Sequence, residues 1–210
     1  MNSKNTYKRC RNRIDIMVDL ETLGTGNDCT VFQIGAIAFD INTGKYIKTF
    51  NLISDITLDN DFKVEPKTLM WWLKTDKELL LNLLDNNDNI PSYNMFYQFY
   101  YWLQDLKNEY ENVYLWGNGI LFDNKIIENK LAVYGLEYPI FFRNDRDLRT
   151  IIELTITRLD ITEKELKQIF ENKTLTKHNA LDDVKYQIQI LVYCWDIITN
   201  IQSIHVNKIY

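Results

Sequence analysis

The sequence predicts an α/β domain, a mixed sheet of about five strands flanked by helices. Three observations predict it. Strand-like runs come first and are joined by a tight turn, helical spacing takes over from Pro66, and a strand, helix, strand, helix order closes the chain. Strands joined by a short turn pair antiparallel, whereas strands separated by a helix pair parallel, so the sheet is mixed.

Ile14 to Leu20 (IDIMVDL) is rich in β-branched and apolar residues, ends in carboxylates, and is followed by the punctuating Gly24 and Gly26. Thr30 to Asp40 and Lys45 to Ile53 are the next strand-like runs, joined through Asn42-Thr43-Gly44, whose Asn and Gly tolerate the backbone of a hairpin. Leu69, Trp72, Leu73, Leu79, Leu80, Leu83 and Leu84 recur at helical spacing after Pro66, and Met95 to Leu106 continues it after Pro91. Asn112 to Trp116 reads as a short buried strand, Phe122 to Tyr134 as a helix and Tyr138 to Phe142 as the fifth strand. Leu148 to Thr155 and Glu163 to Phe170 read as shorter helices, and a long helix runs from Asn179 to Ile201. No repeat or Gly/Ser linker divides the 210 residues, so residues 13–210 are expected to form one domain behind a mobile basic arm, residues 1–12.

Composition excludes several classes. The apolar fraction of 46% and charged fraction of 25% are those of a globular chain, not of a disordered or fibrous one. A net charge of −5 argues against a protein that grips duplex nucleic acid by blanketing phosphates with lysine and arginine. Cys10, Cys29 and Cys194 form neither a disulfide framework nor a zinc knuckle, which predicts free thiols in a reducing compartment. The longest apolar run, Ile190 to Trp195, is too short to cross a bilayer, and the basic leader lacks the apolar segment of a secretory signal, so a cytoplasmic protein without membrane contact is expected.

Three segments carry the chemistry. Asp19 and Glu21 stand two apart at a strand end, so both side chains leave the same face and can hold one hard cation. Trp116-Gly117-Asn118-Gly119-Ile120-Leu121-Phe122-Asp123 ends a strand, turns on two glycines and brings Asp123 into the first turn of a helix. His178-Asn179-Ala180-Leu181-Asp182-Asp183 sets one of two histidines just before the last helix and beside two acids. Residues five apart on a helix differ by about 140°, so His178 and Asp183 suit different jobs, with the histidine reaching over from the preceding loop.

In order and spacing, DLET at 19–22, NGILFD at 118–123 and HNALDD at 178–183 resemble the three motifs of the DEDDh 3′-to-5′ exonucleases. The longer phrases MVDLETLG, WGNG-x-x-FDN and HNALDD look like the branch holding phage exonuclease A and small bacterial exoribonucleases. The likeness spans roughly residues 14 to 195 and implies an RNase H-like fold. It further implies that Asp19, Glu21, Asp123 and Asp183 bind two divalent ions and that His178 is the general base, the family spacing selecting Asp183 over Asp182. Hard oxygen donors suit Mg²⁺ or Mn²⁺, and the lack of paired Cys and His disfavours zinc. Four carboxylates gathered together repel one another, so the metal-free site is expected to be under-ionised or disordered until metal arrives. An imidazole, which titrates near neutral pH, can take the proton of an attacking water.

The implied activity is removal of nucleotides from the 3′ end of single-stranded nucleic acid, with release of nucleoside 5′-monophosphates. DNA is the expected substrate, RNA the rival, and a binding module without turnover the reading from another class. Divalent ions supply positive potential where the scissile phosphate sits, which reconciles the acidic chain with such a partner. By the same analogy Thr22, Leu23, Asn118 and Phe122 line the nucleotide pocket, Leu23 as a wedge against the last base or as core. One of Trp71 and Trp72 is expected to stack a base, the other to be core, and Trp72 is the one chosen. The aromatic stretch Tyr93 to Trp102 reads as core or as the surface of a homodimer, and His205 as a tail residue. Gly24-Thr25-Gly26 begins like a dinucleotide fingerprint, but Cys29 takes the third glycine's place and a strand follows, so a Rossmann site is rejected.

Overall fold

A computed structural model of the chain describes residues 12–59, 62–171 and 174–200. Of the expected basic arm only Asn12 is among them; Cys10 and His205 lie outside. The strands are β1 (Arg13–Thr22), β2 (Val31–Phe39), β3 (Tyr46–Ile53), β4 (Asn112–Gly117) and β5 (Asp145–Asp147). The helices are α1 (Pro66–Thr75), α2 (Lys77–Leu84), α3 (Ser92–Glu109), α4 (Asp123–Val133), α5 (Leu148–Leu159), α6 (Glu163–Ile169) and α7 (Ala180–Thr199).

The sheet order is β3-β2-β1-β4-β5, with β1, β2 and β3 antiparallel and β4 and β5 joined parallel to β1. The mixed five-stranded α/β fold expected from the sequence is therefore the one observed. The first hairpin closes on Gly44, which adopts φ +70°, while Asp40 accepts the N–H groups of Asn42 and Thr43. Asp76 separates α1 from α2 and caps the second by accepting from Leu79 N–H at 2.9 Å.

One correction concerns the fifth strand. It is expected at Tyr138 to Phe142 and is found at Asp145–Asp147. Pro139 has no N–H for a ladder, and Ile140, 5% exposed, drops into the core from an irregular segment instead. The strand that does form, Asp-Arg-Asp, has no apolar residue to signal it.

Strand alternation then sorts β1 between two cores. Ile14, Ile16, Val18 and Leu20 face the cluster built with α3 and α4, which includes Phe96, Phe99 and Leu131. Met17 faces the opposite cluster, with Leu148, Val184, Ile188 and Leu191 from α5 and α7. Asp19 and Glu21 continue the Met17 series by the period of two, so they project toward α7. Asp15, also of that series, is 1% exposed and is satisfied by Arg13 and by the indole N–H of Trp116.

Candidate metal and nuclease site

The site begins where β1 outruns its neighbour. Ladder pairing between β1 and β4 ends at Met17 opposite Trp116, so Asp19 and Glu21 extend past the carboxyl end of β4. There β4 turns at Gly117, where an added Cβ would stand 2.6 Å from Asn124 Oδ1 and 3.2 Å from Asp123 Oδ2. Only glycine lets the start of α4 fold back so closely. Asn124 fixes that start by donating to the Leu115 carbonyl at 3.2 Å and to Asp145 at 2.6 Å, and Asp123, 3% exposed, is held beneath the end of β1.

The last helix supplies the next acid. Gly35 on β2 pairs with Asp19, and a Cβ there would meet the Ala180 carbonyl carbon and the Leu181 nitrogen at 2.5 Å. The first turn of α7 thus rests directly on the sheet. Gln33 anchors it by accepting the Ala180 N–H at 3.2 Å, and Asn179 caps the helix by accepting from Asp182 N–H. This seating carries Asp183 to the end of β1, where one oxygen from each of Asp19, Glu21 and Asp183 lies within 4.8 Å of the others. One turn on, Gln187 donates to Asp19 Oδ1 at 2.8 Å and orients it. Asp182 is engaged elsewhere, accepting from Thr176 N–H and from Lys185.

His178 sits in the loop before α7, half-buried, with its backbone at φ +63°. That left-handed conformation is unfavourable for a residue with a Cβ and is held in place by its surroundings. The His178 N–H donates to Asp183 Oδ2 at 3.0 Å, and the imidazole meets the Trp71 ring edge to face at 4.9 Å.

Burial raises the pKa of every acid in this group. Glu21 is pushed from 4.5 to about 8, chiefly by desolvation and then by the charges of Asp183 and Asp123. Asp123 is pushed from 3.8 to about 7 by desolvation, opposed by the backbone N–H groups of Leu20, Asp123 itself and Asn118 and by the nearby Arg149 charge. Asp19 moves well upward by desolvation and by the charges of Asp123, Glu21 and Asp183. Asp183 also moves up by desolvation, with its bond to His178 opposing. Carboxylates placed where they resist ionising are destabilised in isolation and relieved by a cation. Their all-oxygen donor set fits a hard divalent ion such as Mg²⁺ or Mn²⁺.

Two hollows border the acids, and a third adjoins one of them. One of about 400 Å³ is lined by Glu21, Thr22, Trp71, Trp72 and Phe122 among others. A second of about 950 Å³ is lined by Asp183, His178, Lys164, Lys167 and Lys177 among others. The third, about 490 Å³, has Asn118, Arg149 and Lys167 in its wall. Thr22 and Phe122 therefore stand at the first hollow and Asn118 at the third.

Trp72, expected to stack a base, is a core residue here, and of the two readings of Leu23 the core one fits. Leu23, 2% exposed, and Trp72, 1% exposed, pack with Phe32, Leu80 and Leu83, and the Trp72 indole N–H donates to the Thr22 carbonyl at 3.0 Å. The burial satisfies both the apolar surface and the indole N–H, leaving Trp72 as a clamp on the end of β1. Trp71, its neighbour about 100° around the helix, is 45% exposed and lies nearer the histidine, at 4.9 Å against 6.0 Å for Trp72. Sequence reasoning missed Gln187, Gly35 and Arg149. For Gln187 there was a signal, a polar residue one helical turn beyond Asp183 within an otherwise apolar face.

A mixed sheet of this order with a carboxylate cluster at the end of its first strand is the frame of an RNase H-like nuclease, and the family match and relatives place the chain in the DEDDh 3′-to-5′ exonuclease superfamily. Residues 14–195 match the family described as the 3′-5′ exoribonuclease Rv2179c-like domain, and the chain belongs to it. It is 27% identical over 179 residues to an exodeoxyribonuclease of enterobacteria phage T4, covering 70% of this chain and 74% of that one. Among solved structures it is similar to cell-death related nuclease 4, with TM-score 0.64 at 18% identity, covering 88% of this chain. The alignment spans 64% of that nuclease's own length. It is also similar to the nuclease domain of 3′hExo, a DEDDh family member bound to rAMP, with TM-score 0.58 and 14% identity, covering 89% of this chain and 94% of that domain. An E. coli exonuclease I complex with single-stranded DNA aligns at TM-score 0.63 and 14% identity, over 86% of this chain and 40% of the exonuclease. Among the described residues no helix is long and apolar enough to cross a membrane.

Proposed function

We propose that the chain removes nucleotides one at a time from the 3′ end of single-stranded nucleic acid, releasing nucleoside 5′-monophosphates. The observation that carries this reading is the meeting of Asp19, Glu21 and Asp183 at one point, with Asp123 beneath them and His178 bonded through its N–H to Asp183. In this reading Asp19, Glu21, Asp123 and Asp183 hold two divalent ions, Mg²⁺ or Mn²⁺. When bound, such a pair activates a water and stabilises the leaving 3′ oxygen in an in-line displacement.

The chain's own groups do the rest. His178 accepts the proton of the attacking water, its imidazole held by Trp71 and its backbone by Asp183. Gln187 keeps Asp19 turned toward the other acids. Thr22 and Phe122 border the hollow that receives the terminal nucleotide.

DNA is proposed as the preferred substrate, supported by the exodeoxyribonuclease relative of the phage. RNA is the second reading, favoured by the exoribonuclease description of the family. Labelled single-stranded DNA and RNA oligomers, tagged at either end, test both. Stepwise shortening from the 3′ side with Mg²⁺ or Mn²⁺ is expected, and chelator or Asp123→Ala is expected to abolish it. Faster loss of the ribo-oligomer would move the assignment to RNA; equal activity in the substituted protein would refute the site.

A further inference from the structure

Arg149 is the second residue of α5, is exposed, and lies flat on the loop that delivers Asp123. A Cβ on Gly119 would stand 3.2 Å from its guanidinium carbon and 3.4 and 3.5 Å from its two terminal nitrogens. Gly119 has φ +123°, a conformation open to glycine, so the loop is shaped to let the guanidinium settle there. Glu153 and Glu163 line the same hollow, yet among the described residues Arg149 is in no ion pair. A fork of five N–H donors near enough to Asp123 for its charge to be felt there, yet in no ion pair, is arranged for an anion that arrives from outside.

Where that anion belongs follows from the hollows. The one holding Arg149 meets the one holding His178 and Asp183 at two shared residues, Glu163 and Lys167. The hollow of Thr22, Trp71 and Phe122 shares no residue with either. One compartment suits the nucleotide being removed; the other two lie side by side across a shared wall, the ion pair of Glu163 and Lys167, on the side where the remaining strand would lie.

Resting on the nuclease reading above, we propose that Arg149 binds the strand phosphate on the 5′ side of the scissile bond and so selects polynucleotides over mononucleotide esters. The test compares two substrates of the sugar that the wild type degrades faster. One is a single-stranded oligonucleotide; the other is the p-nitrophenyl ester of the nucleoside 5′-monophosphate, which has a scissile phosphate and no phosphate upstream.

For Arg149→Ala the ratio of kcat/KM on the oligonucleotide to that on the ester is expected to fall at least about tenfold. The slope of log kcat/KM against log salt on the oligonucleotide should shrink by about one. Arg149→Lys is expected to recover the salt slope, as a point charge, and only part of the rate. An equal loss on both substrates, or no loss on the oligonucleotide, overturns the proposal. A wild-type protein that hydrolyses neither substrate with Mn²⁺ fails at the earlier step, the nuclease reading itself.

Discussion

Trp71 and Trp72 are adjacent and chemically identical, and their surroundings give them opposite duties. Trp72→Ala should destabilise the fold by about 3–5 kcal/mol, since it empties a core position and strips the Thr22 carbonyl of its donor. Trp71→Ala should leave thermal stability nearly unchanged and lower kcat about tenfold, because a freed imidazole spends less time where it can take a proton. Thermal melts and steady-state kinetics on the two variants check the split. The same residue scale shows what was legible beforehand. Asp19, Glu21, Asp123, Asp183 and His178 stood out because the chemistry demands those side chains in short phrases flanked by glycine or a helix start. Adjacency to a site says nothing about which way a side chain is turned, so sequence leaves Leu23 open between wedge and core and picks Trp72 for stacking where the structure buries it. Gln187 and Gly35 act through contacts spanning more than a hundred residues, the Gln187–Asp19 bond and the seating of Ala180 on Gly35; local pattern marks Gln187 as a polar residue on an apolar face but names neither partner.

At the scale of elements, the site is an accident of none of its parts. β1 is longer than β4, α4 folds back over Gly117, and α7 is seated on Gly35. The third of these is the most exposed to test. Gly35→Ala places a methyl carbon 2.5 Å from the backbone of α7, which must lift away at a cost of about 1–3 kcal/mol. Asp183 then leaves Asp19 and Glu21. The expected outcome is a folded protein whose melting temperature no longer responds to Mn²⁺; a full response would show that α7 has other means of reaching its place. The hairpin, α3, α4 and α7 were readable from turn chemistry and periodicity. β5 was not, because Asp145-Arg146-Asp147 carries no apolar alternation and its position is fixed by ladder bonds to Leu115, Trp116 and Gly117.

For the whole molecule the cluster sets a pH dependence. Glu21 and Asp123 have folded-state pKa values raised to about 8 and about 7, and Asp19 and Asp183 shift the same way. A group raised on folding leaves stability intact below its unfolded pKa and withdraws it as pH climbs through the folded value. Without metal the protein should therefore be more stable near pH 5 than near pH 8, by on the order of 2–4 kcal/mol. Asp123→Asn should flatten that slope, and divalent metal should reverse the loss by binding the folded, ionised state. Melting curves across this range with and without chelator decide it. Whether four acids drawn from three separate parts of the chain build one centre for a pair of divalent ions is decided by counting Mn²⁺ bound per chain by electron paramagnetic resonance. Two ions are expected for the wild type and at most one for Asp19→Asn; no bound ion, or an unchanged count in that variant, would contradict such a centre.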